Sequence, residues 1–150
     1  MLNSHADKMI AQANINDNLI FAFIFLSPVK VEMCIRDSSY AYQASLYNSY
    51  VAQDGQELAD TYSARPGHSE HQSGLAFDIG ALDNGYGNTP GGRWLNAHCA
   101  DYGFILRYPA GKESITGYQY EPWHVRYVGK EIASRIMSQG ITLEEYLGDV

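Results

Sequence analysis

The spacing of apolar residues predicts alternating helices and short strands along most of the chain. Apolar side chains recur every three or four positions in the helical segments and every second position in the strands. Helices are predicted over residues 43–55, 56–62, 89–102, 130–138 and 142–147, and strands over 75–79, 104–108 and 124–128. Thr89 and Pro90 supply an N-cap and a proline at the first helical position. These elements predict an α+β fold, in which helices flank a small antiparallel sheet.

The strand that ends at Ile79 shows which of its sides is buried. Leu75, Phe77 and Ile79 share one face, whereas Ala76 and Asp78 share the other. Successive side chains of a strand point to opposite sides, so the apolar face is predicted to lie in the core. Asp78 then projects from the opposite face, where the small Ala76 leaves room.

The first 38 residues follow a different pattern. A helix is predicted over residues 5–13 and a strand over Leu19–Leu26, an apolar run far shorter than the roughly 20 residues that cross a bilayer. The segment VEMCIRDS, residues 31–38, can be encoded by DNA that resembles a transposon end used in sequencing libraries. We hypothesise that residues 26–38 are partly translated adapter at a chimeric junction, with a genuine loop as the alternative. Residues 39–150 then form the working domain of a single-domain chain.

Composition and charge exclude several classes of partner. The formal net charge is -7, with 17 acidic against 10 basic residues and no cluster of Lys or Arg. This balance argues against nucleic acid or an anionic membrane surface as the main partner. Cys34 and Cys99 form no CxxC pair and are expected to be free thiols, with Cys99 in the core.

Two imidazoles and two carboxylates supply the parts of a catalytic zinc site. His71 and Asp78 are seven residues apart, which would place them on opposite faces of one strand, so His71 must lie in a turn before it. His124 completes a set of three ligands and leaves the fourth position to water. Glu121 needs a turn or bulge, with Pro122, to come beside His124. It would then take the proton of zinc-bound water during hydrolysis of an amide.

Each of these residues also has a structural interpretation when it is taken alone. A lone histidine is more often structural than a ligand, and an aspartate at a strand end often caps a turn. The joint occurrence of all four residues favours the metal site. Gln43 has two open interpretations: a frayed helix end that faces water, or a substrate contact at the floor of a cleft.

Two segments resemble the motifs of a known peptidase family. SEHQSGLAFD, residues 69–78, matches the SxHxxGxAxD motif of the VanY-type D-alanyl-D-alanine carboxypeptidases, and EPWH, residues 121–124, matches their second motif. The resemblance runs from about Ser39 to Leu147. It implies the fold of the hedgehog and D-Ala-D-Ala peptidases, with Zn²⁺ in a cleft on the sheet. The implied zinc ligands are His71, Asp78 and His124, and the implied catalytic base is Glu121.

The resemblance also implies a substrate, the D-alanine end of peptidoglycan stem peptides, cut by a D,D- or L,D-carboxypeptidase. Gln43 and Ser73 match positions that resemble substrate contacts in relatives, and Ser69 is expected to brace the turn of His71. Trp123 is interpreted either as a wall of the cleft or as a core filler. The family resemblance implies action outside the cytoplasm, in the cell envelope, although no signal peptide is evident. We expect a monomer with no nucleic-acid partner and no transmembrane span.

One position departs from the pattern of the family. The family motif SGYRSY carries an arginine that helps to stabilise the oxyanion or to bind substrate, and Ser38 stands at that position here. Arg36 lies two residues out of register. Loss of one such donor can cost ~10²- to 10³-fold in rate. The alternative to an active zinc carboxypeptidase is therefore a catalytically impaired peptidoglycan-binding module that keeps the zinc site. A purely structural metal domain is disfavoured, because Glu121 would then have no evident purpose.

Overall fold

The computed structural model describes residues 33–34, as backbone, and residues 40–148. Within these residues, four strands form one sheet that is connected by helices and short 3₁₀ turns. The strands are β1 (Met33–Cys34), β2 (Ala76–Ile79), β3 (Phe104–Tyr108) and β4 (Glu121–Tyr127). The α-helices are α1 (Tyr40–Asp54), α2 (Gln56–Ala59), α3 (Pro90–His98), α4 (Glu113–Thr116), α5 (Lys130–Gln139) and α6 (Leu143–Leu147). The 3₁₀ helices cover Glu70–Ser73, Asn84–Asn88 and Cys99–Tyr102.

The sheet has the strand order β1-β2-β4-β3, and every neighbouring pair is antiparallel. The central strands β2 and β4 pair Phe77 with Val125 and Asp78 with His124. The predicted α+β fold with a small antiparallel sheet is confirmed. The pairing also makes two of the predicted metal ligands direct cross-strand neighbours.

An irregularity interrupts the pairing of β3 with β4. Leu106 pairs with Val125 and Tyr108 with Glu121, so that one residue of β3 lies opposite three residues of β4 between these pairs. This bulge accommodates Pro122, which has no N–H to donate to a regular ladder. The strand therefore starts three residues earlier than predicted, and the bulge expected between the glutamate and the second histidine is confirmed.

One face of the sheet is an apolar core. Phe77, Leu106 and Val125 pack there against Leu95 of α3 and against Cys99, which follows that helix. Leu95 is 1% exposed and Cys99 is fully buried as a free thiol. Thus Cys99 is the core thiol that the sequence predicted.

The opposite face of the sheet carries a small apolar cluster and, beside it, polar side chains. Ile105 of β3 packs against Ala133 and Ile136 of α5. Asp78 and His124 emerge on this same face, because alternate residues of each strand point to the same side. These two predicted metal ligands therefore share a face with a small apolar cluster and lie opposite the main core.

The helices predicted after residue 40 are confirmed, with shifts at their ends. Thr89 accepts a hydrogen bond from the N–H of Gly92, which confirms the predicted cap of α3. The helix predicted to run to Tyr102 changes to a 3₁₀ turn after His98. Such tightening of a last turn satisfies carbonyl groups that an α-helix would leave free.

Most predictions for the N-terminal residues lie outside the described residues. These are the helix over residues 5–13, the strand over residues 19–26 and all of the suspected adapter stretch except Met33–Cys34, which forms β1 at the sheet edge. Among residues 40–148, no helix is both long and apolar enough to cross a membrane.

Candidate metal centre and its cavity

Three of the predicted site residues converge on the polar face of the sheet. Asp78 and His124 are partners across β2 and β4. His71 lies in the 3₁₀ turn Glu70–Ser73 that leads into β2. Gly74 ends this turn with φ 67°, a left-handed conformation that glycine adopts without strain. This is the turn that the seven-residue spacing required.

The distances between the three side chains suit a tetrahedral metal ion. Asp78 Oδ1 lies 3.4 Å from His71 Nε2 and 3.2 Å from His124 Nδ1. One ligand atom from each residue lies within 4.8 Å of the others. Two ligands of a tetrahedral zinc ion, each ~2.0–2.1 Å from the metal, lie about 3.3 Å apart. Asp78 Oδ1 is buried without a hydrogen-bond partner among the described residues. The residues present therefore fit zinc.

Outer partners determine which nitrogen of each imidazole faces the centre. His71 Nδ1 lies 3.1 Å from the carbonyl oxygen of Ala76. Because a carbonyl can only accept, Nδ1 carries the proton and Nε2 keeps a lone pair for a metal. His124 presents Nδ1 to Asp78 and turns Nε2 toward Glu70 Oε2, 3.7 Å away. The two rings meet edge to face, with centroids 4.7 Å apart.

Glu121 is a buried carboxyl group beside the three candidate ligands. Its Oε2 lies 3.6 Å from His124 Nδ1, and the residue is 7% exposed. Burial raises the pKa of Glu121 to about 7; His124 opposes this rise and Asp78 adds to it. A carboxyl group that titrates near neutrality can both accept and return a proton.

The centre attracts positive charge even as a set of side chains alone. Burial by itself would lower the pKa of His124, but the surrounding carboxylates raise it to about 9. Burial would likewise raise the pKa of Asp78, but the two neighbouring imidazoles hold it below its usual range. A proton or a metal ion therefore satisfies the same group of acidic oxygens.

The candidate metal centre opens into a cavity of about 250 Å³ whose wall combines aromatic and polar side chains. Tyr108 and Tyr118 stack there with ring centroids 4.5 Å apart, and Tyr108 lies 5.0 Å from the His124 ring. In the part of the chain that the structure describes, no lysine or arginine lines this cavity. The described wall therefore offers an anionic ligand hydroxyl, amide and imidazole groups, but no fixed side-chain cation.

Gln43 and Trp123, two of the predicted substrate residues, line the cavity. Gln43 is buried, and its amide nitrogen donates to the carbonyl oxygen of Ala64 at 2.7 Å. This contact contradicts the interpretation of Gln43 as a frayed helix end facing water. Trp123 belongs both to the cavity wall and to the apolar core, so its two interpretations hold together.

The two predicted serines differ in their position relative to the cavity. Ser73 is exposed and does not line the cavity; its hydroxyl donates to the Glu70 carbonyl at 2.5 Å and accepts from the Leu75 N–H at 3.2 Å. Ser69 lines the cavity, and its side chain makes no capping hydrogen bond to the turn that follows. The bracing expected of Ser69 is thus provided by the hydroxyl of Ser73, while Ser69 borders the space where a ligand would lie.

Sequence reasoning missed Glu70 and Arg107, which lie behind the metal centre. Arg107 Nε donates to Glu70 Oε1 at 2.8 Å, and Arg126 Nη1 lies 3.3 Å from the same oxygen. Burial would raise the pKa of Glu70, but His124 and the two arginines lower it to about 2. The available signal was the position of Glu70 directly before a candidate ligand.

The sequence of this chain matches a known family and several curated proteins. The sequence model of the VanY family, which is described as D-alanyl-D-alanine carboxypeptidase, matches residues 33–130 of this chain. A D-alanyl-D-alanine carboxypeptidase of Enterococcus faecalis is 49% identical over 100 residues, covering 65% of this chain and 37% of the relative. The chain spans 43%, 30% and 37% of the lengths of three curated relatives, less than half in each case.

Two solved structures resemble this chain in both fold and amino-acid sequence. The LdcB LD-carboxypeptidase, described in relation to peptidoglycan recognition, has a TM-score of 0.75 and 45% identity, covering 91% of this chain and 74% of its own. A variant of the vancomycin-resistance D,D-pentapeptidase VanY, in complex with Zn(II), has a TM-score of 0.76 and 36% identity. That match covers 91% of this chain and 82% of the other.

Proposed function

This chain belongs to the VanY family of D-alanyl-D-alanine carboxypeptidases, and on that premise we propose that it is a zinc-dependent carboxypeptidase. Its proposed reaction removes the terminal D-alanine from peptidoglycan stem peptides. The observation that carries the proposal is the convergence of His71, Asp78 and His124 on one point, with Glu121 beside them. The Zn(II) complex of the VanY relative supports zinc as the ion.

The proposed roles follow from the atoms that face the centre. His71 Nε2, Asp78 Oδ1 and His124 Nδ1 would hold zinc, which supplies a Lewis acid that polarises the scissile carbonyl and lowers the pKa of water. Glu121 accepts a proton from the attacking water and returns it to the amide nitrogen as the C–N bond breaks. The products are a shortened peptide acid and free D-alanine. Burial supports this role, since it raises the pKa of Glu121 to about 7.

The residues that line the cavity are the candidates for contact with the substrate. We propose Gln43, Trp123 and Ser69 as substrate contacts, because all three line the cavity. The amide nitrogen of Gln43 already donates to Ala64, so its amide oxygen is the atom proposed to accept from a substrate N–H. A substrate contact by Ser73 stays a prediction, because Ser73 does not line the cavity.

A catalytically impaired peptidoglycan-binding module is the second candidate. The observation that favours it is the cavity wall, which includes no lysine or arginine among the described residues. Ser38 occupies the position at which the family carries an arginine. Such a protein would hold zinc and a stem peptide while turning over slowly, because a missing oxyanion donor costs ~10²- to 10³-fold in rate.

The proposed substrate also determines where the protein would act. Peptidoglycan lies outside the cytoplasmic membrane, so we propose an extracytoplasmic site of action in the cell envelope. The stem peptide ending in D-alanine is the proposed partner. The expectation of a monomer stays a prediction.

Release of D-alanine from synthetic stem peptides tests the proposal. Peptides that end in D-Ala-D-Ala and in a single D-Ala distinguish D,D- from L,D-specificity. We expect release that a chelator abolishes, zinc restores and Glu121→Gln removes. Glu131→Gln is the matched control, because the side chain of Glu131 is 80% exposed on α5.

The two candidates predict different results in this assay. Zinc and peptide binding without release, with release restored by Ser38→Arg, would support the impaired module. A chain that binds no zinc would contradict both candidates.

A further inference from the structure

Glu70 lies directly behind the second histidine of the metal centre. Its Oε2 is 3.7 Å from His124 Nε2, the ring nitrogen that is turned away from Asp78. Both atoms are buried, and neither has a hydrogen-bond partner among the described residues. A carboxylate oxygen and an imidazole N–H that face each other in this way form a charge-assisted hydrogen bond once they approach to ~2.8 Å.

Two arginines hold the other oxygen of Glu70. Arg107 Nε donates to Glu70 Oε1 at 2.8 Å, and Arg126 Nη1 lies 3.3 Å from the same atom. The side chain of Arg107 is only 11% exposed, so this contact is shielded from solvent in a way that surface ion pairs are not. With Oε1 restrained, Oε2 is directed at the ring of His124.

The remaining edge of the Arg107 guanidinium reaches the C-terminal helix α6. Nη1 and Nη2 donate to Glu144 Oε2 and Oε1 at 3.1 and 2.6 Å. A bidentate pair of this kind fixes both the position and the plane of the guanidinium. The helix itself begins with a capping box formed by Thr142 and Glu145. Residue 144 lies beyond the residues 33–130 that the family model matches.

From these contacts we propose that Glu70 is a positioning residue for the metal centre, and that α6 supports it through Glu144 and Arg107. The inference rests on the proposed zinc site. A histidine that binds zinc through Nδ1 carries its proton on Nε2, and a carboxylate acceptor there fixes the ring and raises its basicity. Glu70 provides that acceptor for His124, as a backbone carbonyl does for the other histidine.

Zinc affinity, measured on the full chain by competition with a chromophoric chelator, tests the role of Glu70. Loss of an outer partner typically weakens metal binding by ~10- to 100-fold, and we expect this of Glu70→Ala. Glu70→Gln keeps the volume and one acceptor oxygen, so its affinity should lie between wild type and Glu70→Ala. Wild-type affinity in Glu70→Ala would overturn the proposal.

Two further measurements separate positioning from charge and from general structure. Glu70→Asp keeps the negative charge beside the arginines but draws the carboxylate back from the ring, so weaker zinc binding there identifies the contact as the cause. In nitrogen NMR spectra of the zinc-loaded protein, the Nε2–H of His124 should be hydrogen-bonded in wild type and lose this signature in Glu70→Ala. An unchanged signature would overturn the positioning role. If Glu70→Ala does not fold, Glu70→Gln provides the same comparison.

Glu144→Ala tests the support from α6, and Glu131→Ala is its control. Glu131 also pairs with an arginine, Arg135, but its side chain is 80% exposed on α5. We expect Glu144→Ala to weaken zinc binding measurably, by less than the ~10-fold minimum for a direct outer partner, and Glu131→Ala to leave it unchanged. Equal affinities in both variants would overturn the link to α6. A wild-type chain that binds no zinc would instead contradict the proposed function.

Discussion

The two faces of the sheet place opposite demands on the same strands. On one face, Phe77 and Val125 lie in an apolar core in which burial itself is favourable. On the other, Asp78 and His124 are buried ionisable groups, for which burial alone is unfavourable. On the polar face, the opposite charges of Asp78 and His124 offset the cost of burying them. Burial of apolar side chains on the other face contributes the stability that offsets what remains of this cost. Changes on the two faces should have separable consequences.

The largest expected effect is on chemistry, from Glu121→Gln on the polar face. An amide cannot take the proton of the attacking water, and general acid–base catalysis typically contributes ~10²- to 10⁴-fold to the rate. Initial rates of D-alanine release should fall by that factor. Thermal stability should be preserved, because the change replaces a buried carboxyl group whose pKa is raised to about 7 with a neutral group of similar shape. A full wild-type rate in this variant would rule out Glu121 as the base.

Leu95→Ala on the apolar face should give the reverse result. Leu95 is 1% exposed within the main core, and truncation of such a residue costs about 2–5 kcal/mol of stability. Urea unfolding of the zinc-free protein measures this loss. Zinc affinity, determined under conditions where the variant is folded, should equal that of wild type. If zinc affinity fell together with stability, the two faces would not be separable.

The pH dependence of zinc binding tests the charge compensation directly. The carboxylates around His124 raise its pKa to about 9, so zinc must displace a proton from that ring at neutral pH. Above about pH 7, where Glu121 loses its proton, and below about pH 9, the zinc association constant should rise with pH, approaching ~10-fold per pH unit as one proton is released per ion. Isothermal titration calorimetry of zinc binding, in buffers of different ionisation enthalpy, measures the number of protons released per zinc ion.

Stability of the zinc-free protein should change in the opposite direction over this range. The folded pKa of His124 lies above its unfolded value of 6.5, so the folded state binds more protons between the two values. This contribution to stability is complete below about pH 6.5 and is lost as the pH rises through about 9. Denaturation curves at pH 7, 8 and 9 would contradict the assignment if the zinc-free protein became more stable.

The sequence predicted the parts of the site that depend on local pattern. The alternation that ends at Ile79 determined which side Asp78 faces, and the odd spacing from His71 required the turn that Gly74 completes. The bulge before His124 followed from the proline in the strand. In each case a backbone rule connects residues that are close in the chain.

The supporting contacts were not predictable in the same way. Glu70, Arg107 and Glu144 are separated by 37 residues at each step, and no local period relates them. Charged residues are usually solvated, so the partial burial of all three had no signature in composition. The positions of Ser69 and Ser73 relative to the cavity likewise depend on how a four-residue turn directs each hydroxyl, which no local period specifies.

The smallest expected effect comes from Arg65→Ala, which sharpens the contrast between exposed and buried arginine pairs. Arg65 and Arg107 both pair with a carboxylate at 2.6 Å, but their side chains are 55% and 11% exposed. Water screens the exposed pair, and such pairs often contribute nothing measurable to stability. The urea midpoint should therefore move far less than in Leu95→Ala, with zinc affinity unchanged. A hydrogen bond from Arg65 and a smaller contribution from Tyr47 lower the pKa of Asp60 to about 2. Any loss of stability in Arg65→Ala should therefore be present above about pH 3.8 and should vanish as the pH falls toward 2. A fall in zinc affinity with Arg65→Ala would show that exposure does not decide which arginines support the metal centre.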